Sequence, residues 1–289
     1  MEGLEKPEVR VGVLPIVGAA PLYLALEQGL FEQVGLSVRL SEIQSGEFAV
    51  PSLVRGELDI TFSNYVSLIG AYAEGEQTRI IAEGSRAAED NFAVVTLPDS
   101  AFTHTEDLNQ ETIGVNAIDN IATLMTNSKL SAAGVRPDQV TYREFDFPHM
   151  AASLKRGDVD AAFLPEPFLS QAKIEYAART MFAPASDATA GIPIDGYATM
   201  NGFVRDNPRT VRAFQKALRE AQRQCADDSV LRGLLQRALK VEPDVAAVLS
   251  PSRYPITLHA RSIQRVADLM RLFGAVQNPV EVKKMVVQS

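Results

Sequence analysis

The chain has 289 residues, of which 46% are hydrophobic and 22% are charged, so it has the composition of a folded protein and a length typical of about two domains. Lysine and arginine number 28 against 36 aspartates and glutamates, and the net charge of −8 argues against a nucleic-acid or anionic-membrane partner. Cys225 is the one cysteine, which excludes an internal disulfide and favours a buried, inert thiol.

The first residues carry no pattern of an export signal. The segment Met1–Pro7 is polar and acidic, and the longest uncharged stretch, Val11–Leu26, contains two prolines and two glycines and is too short to span a membrane. A cytoplasmic protein and a secreted protein without its export signal both fit this start.

Strand and helix signals alternate through the first hundred residues. The predicted strands are Val9–Leu14, Leu36–Leu40, Leu58–Phe62, Arg79–Ala82 and Phe92–Thr96. Between them, helices are predicted over Pro21–Gln28 and Phe48–Arg55, with a third helix capped by Ser63 or Asn64. This alternation predicts βαβ units and a mostly parallel sheet.

The same alternation starts again after residue 110. The predicted elements are strands Thr112–Asn116, Gln139–Arg143 and Val159–Leu164, and helices Asn120–Ala133, His149–Arg156 and one opened by Glu166-Pro167-Phe168. After an extended segment at Ile192–Val204, helices are predicted over Pro208–Ala226, Ser229–Leu239, Pro243–Leu249 and His259–Phe273. The sequence therefore predicts an α/β fold with two lobes, lobe I formed by residues 1–97 and 198–289 and lobe II by residues 98–197, with a ligand cleft between them.

Turns at the carboxyl ends of parallel strands are the expected ligand contacts, because helix N-termini present free N–H groups there. The turns predicted to face the cleft are Val17–Leu22, Ile43–Phe48, Ser63–Tyr65, Ser85–Phe92, Asn116–Thr123, Phe145–His149 and Leu164–Phe168. Small residues in the first of these turns permit close approach of the backbone to a ligand.

Several polar residues in these turns have a structural and a functional interpretation. Glu166 is either the N-cap of the helix that Pro167 begins or a carboxylate that accepts a hydrogen bond from a ligand. Asn116, Asp119, Asn120 and Thr123 either cap the next helix or present amide, hydroxyl and backbone donors to a ligand.

Aromatic and cationic candidates are few. Tyr65 and Phe92 either stack on a flat ligand or belong to the core. Arg86 either neutralises an anionic ligand or forms a salt bridge with Glu83, Glu89 or Asp90.

Catalytic signatures are mostly missing from the sequence. The glycines form neither a phosphate-binding loop nor a G-x-G-x-x-G motif, no G-x-S-x-G motif occurs, and the three histidines have no metal-ligand spacing. We expect no cofactor and no metal. For His149 a solvated position at a helix start is favoured over a role at the cleft.

Longer segments of the sequence resemble a known family. They are Leu26–Leu36, Gly56–Ile60, Asp107–Val115, Leu130–Val135, Leu154–Ala162 with Glu166-Pro167-Phe168, and Asn207–Leu218. In this order and spacing they resemble the periplasmic solute-binding proteins of ABC importers for nitrate, sulfonate, taurine and thiamine precursors, the group that includes the NMT1/THI5-like proteins. The chain departs from this pattern by lacking tryptophan and the cysteine-rich motif of the pyrimidine synthases.

The resemblance implies a type II periplasmic binding protein fold with two crossing strands, closing on its ligand by hinge motion. The ligand contacts it implies are Gly18, Ala19, Ala20, Ser63, Asn64, Asn116 to Thr123 and Glu166. It also implies a monomeric extracytoplasmic receptor, secreted or lipid-anchored, whose export signal is absent from this chain. Its partners would be a small organic solute, a permease and an ATPase.

Two further classes stay open at this point. The first is an enzyme on the same fold in cofactor or quinone-precursor biosynthesis, with His149 or Glu166 as the acid–base group. The second is the effector domain of a regulator, which is disfavoured because no helix-turn-helix precedes the first strand.

Overall fold

Strands and helices alternate along most of the chain. A computed structural model describes residues 3–43 and 46–287. The strands are β1 (Glu8–Val13), β2 (Ser37–Glu42), β3 (Ile60–Asn64), β4 (Thr78–Arg86), β5 (Phe92–Thr96), β6 (Thr112–Val115), β7 (Thr141–Glu144), β8 (Ala161–Pro165), β9 (Arg179–Phe182) and β10 (Pro193–Met200). The helices are α1 (Ala20–Glu27), α2 (Gly46–Val54), α3 (Tyr65–Ala73), α4 (Ile121–Ala132), α5 (Phe147–Arg156), α6 (Phe168–Tyr176), α7 (Asn201–Asp206), α8 (Pro208–Gln224), α9 (Asp228–Ala238), α10 (Pro243–Val248) and α11 (Ala260–Leu272).

The chain divides into two compact units. Unit 1 contains the described residues of Met1–Arg86, Pro193–Lys240 and Arg253–Ser289, and unit 2 contains Ala87–Ile192 and Val241–Ser252. Each unit holds one five-stranded mixed sheet, in the order β2-β1-β3-β10-β4 in unit 1 and β7-β6-β8-β5-β9 in unit 2. The predicted α/β fold with two similar lobes is therefore confirmed.

The two sheets share one plan. In unit 1, β1 is parallel to β2 and β3, and β10 runs antiparallel to both β3 and β4. In unit 2, β6 is parallel to β7 and β8, and β5 runs antiparallel to both β8 and β9. In each sheet four strands therefore run in one direction, and the fourth strand in the spatial order is reversed.

The predicted lobe boundaries need correction at three places. Strand β5 belongs to unit 2 and not to lobe I, because it pairs with β8 and β9. The start of β10, Pro193–Tyr197, belongs to unit 1, where it pairs with β3 and β4. Helix α10 was expected with the other late helices on the first lobe, but it packs on α6 in unit 2.

Local signals explain most helix boundaries. Proline occupies the first turn of α1, α5, α8 and α10, where its missing N–H is not needed. Gly157 ends α5 with a φ of 76°, a left-handed conformation that glycine adopts without steric cost. In the core of unit 1, the Phe31 and Phe214 rings stack with centroids 5.3 Å apart.

Cys225 is buried, and its burial raises the pKa of the thiol to about 12, as expected of an inert thiol. Among the described residues, no helix is long and apolar enough to cross a membrane, and no three His, Cys, Asp or Glu side chains are grouped so as to hold a metal ion.

Asp59, directly before β3, holds both β1 and the segment that precedes β1. Its carboxylate accepts hydrogen bonds from Lys6 Nζ at 2.7 Å and from the Arg10 backbone N–H at 2.9 Å. Burial alone would raise the pKa of Asp59, but these bonds lower it below its ordinary value. We therefore expect Asp59→Asn to lower the free energy of unfolding by about 1–2 kcal/mol at pH 7, since a neutral amide replaces the paired charge.

Because the pKa of Asp59 is lowered in the folded state, this stabilisation is present above the unfolded pKa near 4 and is lost as the pH falls through the folded value. Urea unfolding at pH 7 and pH 3 measures the difference in the free energy of unfolding between Asp59→Asn and the parent protein. This difference is expected to be smaller at pH 3. Glu8→Gln is the control, because Glu8 pairs with Arg39 on the exposed surface. A pH-independent effect of Asp59→Asn would contradict this account.

Candidate functional site

The carboxyl ends of the parallel strands in unit 1 meet at one edge of its sheet. Because β10 is antiparallel, its beginning lies at the same edge, and Asp195 pairs with Asn64 at the end of β3. Ser85, near the end of β4, also pairs with Asp195. The predicted site residues of unit 1, from Gly18 to Arg86, therefore lie toward the same edge as Asp195, which the sequence analysis did not select.

The turn after β1 makes a close contact at this edge. Gly18 lies in a short 3-10 turn, Val17–Ala19, and a Cβ added to it would lie 2.8 Å from Asp195 Oδ2 and 3.0 Å from Ser85 Oγ. The Tyr254 hydroxyl donates a hydrogen bond of 2.7 Å to the Val17 carbonyl and holds the turn from another side. Glycine at position 18 is therefore required by space.

Ala19 and Ala20 complete this turn. Both are fully buried, and Ala19 is the N-cap of α1 without a side-chain acceptor for the first N–H groups of the helix. The small side chains leave the backbone of the helix start as the polar surface of this turn.

We expect Gly18→Ala to lower the free energy of unfolding by about 1–3 kcal/mol, because the new methyl group must displace Asp195 or Ser85. The matched control is Gly202→Ala in α7, where an added Cβ meets nothing within 4 Å. Thermal unfolding of both variants measures the difference. Equal midpoints for the two variants would show that the contact at Gly18 is not tight.

The buried Asp195 carboxylate accepts one side-chain hydrogen bond within the described part of the chain, at Oδ2 from Ser85 Oγ at 2.7 Å. Burial raises the pKa of Asp195 to about 7, and the bond from Ser85 opposes this only in part. Burial also raises the pKa values of the neighbouring Tyr65, Tyr197 and Tyr254 hydroxyls. The edge thus carries a polar cluster that is mostly uncharged below neutral pH.

Arg86 forms an ion pair with Glu83, which is the alternative that the sequence offered beside a ligand contact. Arg86 Nη2 donates to Glu83 Oε2 at 3.1 Å and Nε donates to Oε1. The Glu83 side chain is fully buried, and 26% of the Arg86 side chain is exposed. The positive charge at this edge is therefore balanced within unit 1.

The end of β3 places a helix cap next to a buried hydroxyl. Asn64 is the N-cap of α3, and its side chain accepts from the Ser67 N–H and donates to Ser67 Oγ, both at 3.0 Å. Ser63 Oγ is buried without a hydrogen-bond partner among the described residues. The Tyr65 ring is buried against Gly196, in the core position that the sequence analysis gave as its alternative.

In unit 2 the equivalent edge carries the turn before α4. Asn120 is the N-cap, accepting from the Ala122 N–H at 2.9 Å and donating to Asn116 Oδ1 at 3.0 Å, and Thr123 Oγ1 bonds back to the Asn120 backbone. Asp119 is exposed and has a φ of 59°. Asn120 and Thr123 thus form the cap that was one of their two interpretations, and Asn116 holds the Asn120 side chain in place.

Glu166 is a correction to the sequence analysis. The N-cap of α6 is Pro167, not Glu166, and the buried Glu166 carboxylate instead reaches into the first turn, accepting from Ser170 N at 3.1 Å and Ser170 Oγ at 2.8 Å. It also accepts from the Ser250 N–H at 3.2 Å. Burial raises the pKa of Glu166, and these bonds lower it in part.

The remaining candidates are one aromatic ring, one histidine and one turn. Phe92 is buried, with its ring centroid 5.7 Å from that of Phe163, as in the core interpretation. His149 is 73% exposed beside Asp146, the solvated helix start that was favoured. The predicted turn Ile43–Phe48 includes residues 44 and 45, which lie outside the described residues.

Sequence reasoning missed Ser85 and Asp195 as a pair. Ser85 stood inside a predicted turn, but Asp195 stood in a segment expected only to be extended. Its signal is a lone carboxylate in the apolar run Ile192–Tyr197. A charged residue in a strand that is buried throughout indicates a site or a specific partner.

The model of the NMT1-like family matches residues 2–239. The chain belongs to the NMT1-like family. This agrees with the resemblance carried by the segments between Leu26 and Leu218.

Two curated relatives extend the comparison. The chain is 28% identical over 251 residues to the bicarbonate transport ATP-binding protein CmpC of Synechocystis sp., covering 78% of the chain and 36% of that protein. It is 23% identical over 244 residues to the nitrate/nitrite binding protein NrtA of Nostoc sp., covering 77% of the chain and 54% of that protein. The chain therefore spans about a third to a half of the length of these relatives.

A solved structure shows the same fold. The alkanesulfonate-binding protein SsuA from Xanthomonas axonopodis pv. citri, bound to MOPS, superimposes with a TM-score of 0.82 at 18% identity, covering 98% of this chain and 99% of that one. The fold of this NMT1-like protein is thus that of a periplasmic binding protein.

Proposed function

We propose that this NMT1-like protein is a non-catalytic solute receptor that delivers a small organic or oxyanionic solute to an ABC-type permease. The family supports this role, and so does the similarity to a nitrate/nitrite binding protein and to an alkanesulfonate-binding protein. The solute classes proposed are sulfonate-, taurine- or nitrate-like molecules and pyrimidine thiamine precursors.

The observation that carries the proposal is the carboxyl edge of unit 1. There the backbone of the Gly18 turn and the start of α1 lie at the ends of the strands, where ligands of open α/β sheets bind. The buried Ser63 hydroxyl, which has no hydrogen-bond partner among the described residues, lies at the same edge. Arg86 is balanced by Glu83, so recognition rests on N–H and hydroxyl donors. Such a site suits a neutral or singly charged solute better than a compact dianion.

The partners and the location belong to the same proposal. A permease and its ATPase would accept the solute, and the similarity to a bicarbonate transport ATP-binding protein supports a place in such an importer. The receptor would act outside the cytoplasm. A cleft between the two lobes, formed by residues of both, stays a prediction from the sequence.

Thermal unfolding against a panel of solutes tests the proposal. The panel contains nitrate, bicarbonate, taurine, alkanesulfonates and hydroxymethylpyrimidine. A solute at about 100 times its dissociation constant is expected to add about 2.7 kcal/mol, which raises the midpoint by several degrees. A flat response to every member of the panel would overturn the proposed solute classes.

A further inference from the structure

Positive charge is concentrated in the last third of the chain. Residues 201–289 carry 15 lysines and arginines against 8 aspartates and glutamates, whereas residues 1–200 carry 13 against 28. Helix α8 contributes five of the cations at alternating spacings of three and four: Arg209, Arg212, Lys216, Arg219 and Arg223. This spacing places them along one face of the helix. Val211, Phe214 and Leu218 are buried on another face.

A cavity of about 440 Å³ opens in unit 1 beside the C-terminal half of α8. Arg219 and Arg223 line it from the helix, and His259 lines it at the start of α11. Its apolar lining consists of Ile81, Ala82, Pro255, Ile256, Leu258 and Val287. Since 40% of the large apolar Ile256 is exposed, the cavity combines a cationic part with an uncovered apolar part.

Two glutamines fix one wall of this cavity. Gln215 and Gln222, two turns apart on α8, donate their side-chain amides to the Ile81 carbonyl at 2.7 Å and to the Glu83 carbonyl at 2.6 Å. Both side chains are buried, so the helix is held against β4 at a set distance. His259 is also oriented, since its Nε2 lies 2.9 Å from Thr257 Oγ1. The lining is therefore formed before any ligand binds.

Two acidic side chains near the cavity, Glu83 and Glu220, are already engaged by arginines. Both carboxylate oxygens of Glu83 accept from Arg86, and Glu220 accepts from Nη1 of Arg223 at 3.2 Å. A guanidinium group carries five N–H donors, so Arg223 keeps donors for another acceptor. Arginine favours carboxylate, sulfonate and phosphate oxygens because its planar fork matches their geometry.

We propose that this cavity is a second ligand site, for a small organic molecule that carries an oxyanionic head on a short apolar body. The head would bind at Arg219 and Arg223 near His259, and the body would cover the apolar lining around Ile256. The volume lies within the range of small-molecule sites, about 300–1,000 Å³. The site is separate from the proposed solute contacts at Gly18, and it does not depend on the proposed function.

Histidine NMR on the full chain tests this site directly, because the protein has three histidines and two of them, His104 and His149, serve as internal controls. The probes are hexanesulfonate and hexanoate, with sulfate as the head alone and 1-hexanol as the body alone. We expect the ring signal of His259 to shift saturably with one or both hexyl anions, while the other two histidines stay unchanged. The two anions distinguish a sulfonate from a carboxylate ligand.

Matched double variants assign the binding to the cavity. R219A/R223A is expected to raise the dissociation constant of the hexyl anion by about tenfold or more, since two charged hydrogen-bonding groups are lost. R212A/K216A removes the same charge from the same helix face outside the cavity. This control is expected to change the dissociation constant of the hexyl anion less than about twofold. The proposal is overturned by an unmoved His259, by equal effects of the two double variants, or by 1-hexanol or sulfate binding as tightly as the hexyl anions.

Discussion

Replacing Asp195 by asparagine is expected to stabilise the protein progressively as the pH rises from 4 to 8. The folded protein holds the Asp195 carboxyl protonated up to about pH 7, whereas the unfolded chain releases that proton near pH 4. Between these values the folded state binds more protons, so the stability of the parent protein falls as the pH rises. Asparagine does not titrate and removes this loss.

The expected size of the effect follows from the shift. A pKa raised from 3.8 to about 7 corresponds to about 4 kcal/mol, an upper bound for a group buried among polar neighbours. The difference in the free energy of unfolding between Asp195→Asn and the parent should therefore grow by about 2–4 kcal/mol between pH 4 and pH 8. Urea unfolding at several pH values measures it.

Asp59→Asn provides the opposite control, because the pKa of Asp59 is lowered and its variant loses stability at neutral pH. A pH-independent difference for Asp195→Asn would contradict the burial argument. Confirmation would show that unit 1 keeps a costly buried carboxylate at the edge where the solute is proposed to bind, as functional sites often do.

Glu166→Ala is expected to lower the free energy of unfolding by about 2–4 kcal/mol. The substitution leaves the buried Ser170 N–H and the Ser250 N–H without their acceptor, and it removes the link between the start of α6 and the segment after α10. Chemical denaturation measures the loss. Glu166→Gln retains one acceptor oxygen and is expected to lose less.

A surface carboxylate of the same unit gives the comparison for Glu166. Asp138 pairs with Arg136 at an exposed position, and Asp138→Ala is expected to leave the free energy of unfolding nearly unchanged, because solvent screens the pair. If Glu166→Ala were as mild as this control, the carboxylate would not be holding unit 2 together. That result would favour the alternative role of Glu166 as a solute contact.

Local sequence signals were sufficient for most of the secondary structure. Strand β5 has the predicted bounds Phe92–Thr96, and Asn120 caps α4 where a polar residue preceded an apolar run. Strand β9 was not predicted, because it is a short edge strand with three of its four residues outside the core. The segment Ile192–Val204 was predicted to be extended throughout. It is a strand only as far as Met200, and helix α7 begins at Asn201.

Long-range pairing was not accessible from the sequence. Whether Phe92–Thr96 joins the first or the second sheet depends on partners 65 or more residues away, and no local pattern encodes that choice. The same limit hid Asp195, whose place beside Ser85 and Gly18 results from the antiparallel insertion of β10. Turns after parallel strands were predictable, whereas a contribution from a reversed strand was not.

Native mass spectrometry of the purified protein with the solute panel tests the receptor role most directly. We expect a complex of one solute molecule per chain for at least one panel member, with that solute recovered chemically unchanged after long incubation. A solute that is consumed, or a chain that forms no complex with any panel member at millimolar concentration, would contradict it.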